Sequence, residues 1–113
     1  MDLRELQSEA RRLLEGLEHP RMGAGLALAE ECGEVVRCVL DHECYGLDTR
    51  AALEAEIGDV LVALAEVSDR YGVSLDDAAR GALAKLERKA PEWRAQIGDR
   101  LARLRERVDG PTL

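Results

Sequence analysis

Aromatic residues are scarce: the 113-residue chain has no Phe, one Trp (Trp93) and two Tyr (Tyr45 and Tyr71). Leu, Ala and Val fill the apolar quota instead, which suits helices and argues against a β-sandwich, built from aromatic and β-branched residues. Positive charge is also short, with 16 Lys+Arg against 23 Asp+Glu and a net charge of −7, which disfavours nucleic acid as a partner. A small anionic ligand bridged by a metal cation stays open. No apolar run nears the roughly 20 residues that span a bilayer, and the N-terminus opens on charges rather than a signal-peptide pattern. A cytoplasmic location and no membrane partner are therefore expected. Cys32, Cys38 and Cys44 are odd in number and match no zinc spacing, so they read as reduced thiols. What is present, 46% hydrophobic and 35% charged residues, fits a soluble globular chain forming a single domain over residues 1–113. A chain of this size buries only about two-thirds of its unfolded surface, so a second copy would help it.

Apolar periodicity predicts helices throughout. Leu3, Leu6, Ala10, Leu13, Leu14 and Leu17 recur at helical spacing over residues 3–17, and His19-Pro20 closes that stretch. A second stretch runs from about Gly25 to Glu43 and stops at Tyr45-Gly46, glycine being suited to the left-handed residue just past a helix end. Asp48 or Thr49 can cap a third, ending at Tyr71-Gly72. Ser74, with Asp77 three residues on, resembles a capping box and starts a fourth, which Pro91 should break. Arg94 to Val108 forms a fifth segment with Ile97, Leu101, Leu104 and Val108 on one stripe. The expected fold is all-α: an antiparallel bundle of four core helices plus a C-terminal helix, dimeric.

A short repeat carries the most information. Residues 27–36 read ALAEECGEVV and residues 52–61 read ALEAEIGDVL, so Glu31 aligns with Glu56, Gly33 with Gly58 and Glu34 with Asp59. At about 100° per residue, Ala27, Glu31, Glu34 and Cys38 share one arc, as do Ala52, Glu56, Asp59 and Ala63. Acids on a stripe of small apolar residues are out of place on an ordinary surface face. Facing one another, the four carboxylates would repel and raise one another's pKa unless a cation joined them. Oxygen-only ligands select a hard divalent ion, Mg²⁺ or Mn²⁺. Glycine inside a helix costs roughly 1 kcal/mol relative to alanine, so Gly33 and Gly58 point to backbones that approach something closely. The alternative is a solvated acidic face with incidental glycines. Glu30, one residue off the stripe, is open as a general base, a group behind the ligands or a surface acid.

A second group is cationic. Both lysines of the chain fall within KLERK, where Lys85, Arg88 and Lys89 stand at i, i+3 and i+4 on one side of a helix. Ammonium and guanidinium groups are both phosphate ligands; the same residues would also complement a helix C-terminus. Trp93 reads as packing, and Cys38 with His42 as structural. A di-iron carboxylate bundle normally needs E-x-x-H pairs, and neither His19 nor His42 has one.

Together these motifs resemble the MazG-like all-α nucleoside triphosphate pyrophosphohydrolases: E-x-x-E at Glu31 and Glu34, E-x-x-D at Glu56 and Asp59, then the basic segment Lys85–Lys89, a core of about residues 25–90. The resemblance implies Mg²⁺-dependent hydrolysis of an NTP or dNTP to the monophosphate and pyrophosphate, a house-cleaning of the nucleotide pool, in a homodimer or dimer of dimers. Glu31, Glu34, Glu56 and Asp59 would hold the metal, Mn²⁺ being a substitute. Lys85, Arg88 and Lys89 would hold phosphate, and Glu34 or Glu30 would take the proton from water. Two alternatives remain: phosphoribosyl-ATP pyrophosphohydrolase of histidine biosynthesis, and a non-enzymatic helical dimerisation or adaptor module.

Overall fold

The computed structural model describes residues 1–110, which contain four helices and no strand: α1 (Leu3–Leu13), α2 (Arg21–Tyr45), α3 (Arg50–Arg70) and α4 (Leu75–Asp109). The all-α class is as expected. Helix ends follow local chemistry. Asp2 Oδ1 accepts from the Glu5 amide at 2.8 Å to start α1, and Ser74 Oγ accepts from the Asp77 amide at 3.2 Å to start α4. Gly46, at φ +67°, ends α2 in the left-handed conformation, its N–H reaching back to the His42 carbonyl.

Two boundaries differ from expectation. α1 stops at Leu13 rather than Leu17, because the chain turns at Gly16, whose φ of +82° is left-handed and cannot continue a right-handed helix. The fourth and fifth segments are one helix, and Pro91 lies inside it. Proline removes a single helical N–H and crowds the carbonyl four residues back, at roughly 3 kcal/mol. The Ala-, Leu-, Lys-, Arg- and Glu-rich turns on both sides are strong helix formers and carry the helix across.

The chain forms two compact units, Met1–Ala78 and Ala79 onward. In the first, the short Gly46–Thr49 link turns α3 back along α2, and α1 lies against α3. The interior is made of small residues: Ala10, Ala24, Cys38, Ala63 and Ala65 are buried, and no large side chain is fully enclosed. Buried Gln7 ties α1 to the α3–α4 turn, donating to the Val73 carbonyl at 2.9 Å and accepting from the Leu75 amide at 2.8 Å. Arg11 adds a 2.7 Å bond to Asp69, and His19 is held before α2 by Glu66, whose Oε1 accepts from the His19 amide at 2.9 Å. Thr49 Oγ1, at the start of α3, donates to the Cys38 carbonyl on α2 at 2.9 Å.

Many large apolar side chains face outward. On α2, Met22, Leu26, Val36 and Leu40 are exposed, and on α3 Ile57, Leu61 and Val62. Gly33 and Gly58 open on the same outer side: a Cβ built on either would meet nothing within 4 Å. The close approach expected of these glycines is therefore not made by any described residue. Two residues past Glu31 and Glu56, they sit about 200° around their helices, away from the acid stripe. The described part of the second unit continues α4, and none of the residues of that helix is buried.

Candidate metal centre

The antiparallel α2–α3 pair brings three of the four repeat acids together. Glu31 on α2 and Glu56 and Asp59 on α3 each offer a carboxylate oxygen, and these oxygens all lie within 4.8 Å of one another. Glu31 and Glu56 are half-buried and Asp59 is exposed. The stripes that carry them are lined as the spacing requires: Ala24, Cys38 and Ala63 are buried, so the acids rise from the edge of the α2–α3 seam. Small neighbours let the two backbones come near enough for carboxylates to meet across the seam.

Burial and neighbouring negative charge both act on Glu31. The Glu31 carboxyl is raised above its ordinary 4.5, first by partial removal from water and then by the negative charges of Asp59, Glu56, Glu30 and Glu34. A divalent cation would relieve that repulsion. Oxygens bound to one Mg²⁺ at about 2.0–2.1 Å lie at most about 4.2 Å apart, so a small rotamer adjustment closes the trio on one ion. An all-oxygen donor set of this span fits a hard cation rather than zinc or copper.

The other expected residues fall outside the trio. Glu34, one turn on from Glu31, is half-buried, and Glu30 is exposed. Both lie near enough to add negative charge to the Glu31 environment. Lys85, Arg88 and Lys89 are exposed on α4 in the second compact unit. His42 uses Nδ1 on the Leu47 carbonyl at 2.8 Å, a helix-end contact, and Trp93 is partly exposed on α4. Among the described residues no other group of His, Cys, Asp or Glu gathers in this way.

The MazG nucleotide pyrophosphohydrolase domain matches residues 23–93, well over half of the chain and inclusive of the acid repeat and the KLERK segment. The chain belongs to the MazG nucleotide pyrophosphohydrolase family. No curated protein and no solved structure matches it. The MazG region begins within the first turn of α2 and ends two residues beyond Pro91, so α1 and the last four turns of α4 lie outside it. No helix among the described residues is long and apolar enough to cross a membrane.

Proposed function

We propose that this MazG-family chain is a Mg²⁺-dependent cytoplasmic pyrophosphohydrolase that cleaves an NTP or dNTP between the α- and β-phosphates, releasing the monophosphate and pyrophosphate. The observation that carries the reading is the Glu31–Glu56–Asp59 trio within 4.8 Å across α2 and α3. Glu31, Glu56 and Asp59, with Glu34 a turn away, are the proposed ligands. Bound there, Mg²⁺ or Mn²⁺ would neutralise phosphate charge and lower the pKa of a coordinated water.

The remaining roles fall to the chain's own side chains. Glu34 or Glu30 accepts the proton of the attacking water, since each is a carboxylate close enough to Glu31 to be felt by it. Lys85, Arg88 and Lys89 are the proposed phosphate ligands; they offset charge that grows on the leaving pyrophosphate. A homodimer or dimer of dimers is supported by the exposed apolar side chains of α2 and α3 and by the open space over Gly33 and Gly58. Single domain 1–113 is the proposed functional unit.

The test is a screen of NTPs, dNTPs and phosphoribosyl-ATP with Mg²⁺ or Mn²⁺, resolving monophosphate plus pyrophosphate from diphosphate plus phosphate. Pyrophosphate from a nucleoside triphosphate is expected. Turnover of phosphoribosyl-ATP alone would move the chain to histidine biosynthesis, and no pyrophosphate from any substrate would leave the adaptor reading.

A further inference from the structure

Thr49 occupies the capping position of α3, yet its hydroxyl makes no bond to that helix. The partial substitute is Asp48, whose Oδ1 accepts from the Arg50 amide at 3.3 Å. The Thr49 hydroxyl instead donates across the seam to the carbonyl of buried Cys38, at 2.9 Å in a half-buried setting. A threonine that leaves its own helix end uncapped to grip a neighbouring helix fixes a relation between the two.

That relation can be counted. Glu56 lies seven residues after Thr49 on α3, and Glu31 lies seven residues before Cys38 on α2. Seven residues are about two turns and about 10.5 Å along a helix, and they return a side chain to within about 20° of its starting face. Because the helices run in opposite directions, equal steps from the Thr49–Cys38 bond arrive at Glu56 and Glu31 together. The bond and the carboxylates thus lie two turns apart on nearly the same faces of the two helices. A one-residue screw displacement of α3 would move Glu56 and Asp59 by about 1.5 Å and turn them by about 100°.

We propose that Thr49 is a positioning residue for the carboxylate trio, its hydroxyl bond to the Cys38 carbonyl holding α3 in the register at which Glu56 and Asp59 meet Glu31. This rests on the metal reading above only for its consequence, since the register itself needs no metal.

The register is read in the full metal-free chain by electron–electron distance measurement, with spin labels on exposed Cys32 and on Ala55→Cys, Cys44 being replaced by serine. Thr49→Val keeps the shape and removes the donor; Thr49→Ser keeps the donor. A narrow distance distribution is expected in the parent and in Thr49→Ser, and a broadened or displaced one in Thr49→Val at unchanged helical circular dichroism. Superimposable distributions in all three overturn the proposal, as does a serine variant as disturbed as the valine one. Should Thr49→Val fail to fold, Thr49→Ala takes its place with the same expected outcome. Mn²⁺ binding by paramagnetic resonance, with the metal alone, reads the consequence: about tenfold weaker in Thr49→Val and within about twofold of the parent in Thr49→Ser. Equal affinity in the valine variant and the parent also overturns it. A parent that takes up no Mn²⁺ while Thr49→Val still displaces the register defeats the metal reading and leaves the role of Thr49 standing.

Discussion

The two compact units of this chain differ in charge, packing and content. Residues 1–78 hold seven Lys+Arg against eighteen Asp+Glu, whereas residues 79–113 hold nine against five. The first unit packs three helices over a small-residue interior and contains the carboxylate trio; among its described residues the second continues one helix without a buried residue. The net acidity of the whole chain therefore belongs to the first part alone. The proposed cation ligands lie in the acidic unit and the proposed phosphate ligands on the basic helix.

The sharpest way to break this contrast is to neutralise one carboxylate. Glu56→Gln or Asp59→Asn should lower Mg²⁺-dependent pyrophosphate release by at least about 100-fold at unchanged circular dichroism, a loss on the scale of removing a principal electrostatic group. Arg103→Ala, on the basic helix beyond KLERK, should leave it within about twofold. Next comes the packing of the acidic unit. Gln7→Ala deletes two hydrogen bonds and strands the Val73 carbonyl and Leu75 amide, and should reduce unfolding free energy by about 2 kcal/mol in urea titration. Gly33→Ala should raise helix stability by up to about 1 kcal/mol at high dilution, since its Cβ meets nothing within the chain. The same substitution should weaken self-association in sedimentation if a second copy covers that face.

The smallest expected effect is a drift with pH. Glu31 binds its proton more tightly in the folded chain than its ordinary 4.5, so the folded state gains most when Glu31 is protonated. Metal-free stability contributed by this group is present below about 4.5 and is lost as pH rises through the higher folded value. The thermal midpoint of the parent should fall relative to that of Glu31→Gln across that window, and the parent should recover on adding Mg²⁺.

Much of this arrangement was legible in the residues. The acid-x-Gly-acid repeat announced a shared stripe, and the structure places Glu31, Glu56 and Asp59 together across α2 and α3, because a fixed angle per residue converts spacing directly into a face. Ser74 and Gly46 marked helix ends through chemistry confined to a few neighbouring residues. Pro91 misled, since a breaker reads as a boundary while the helical preference of some fifteen residues on either side decides the outcome. The close approach expected at Gly33 and Gly58 is not made within the described residues, since a costly glycine does not say on which side of the helix, or from which molecule, an approach comes. Nothing in one sequence shows that Thr49 will bond to α2 rather than to its own helix end.

The alanine-lined interior has one last consequence. A chain whose leucines, valines and isoleucines stay mostly in water gains little from closing on itself, so its folding equilibrium is drawn toward whatever lies across those side chains. Where a second copy covers them, as proposed, the melting temperature should climb with protein concentration.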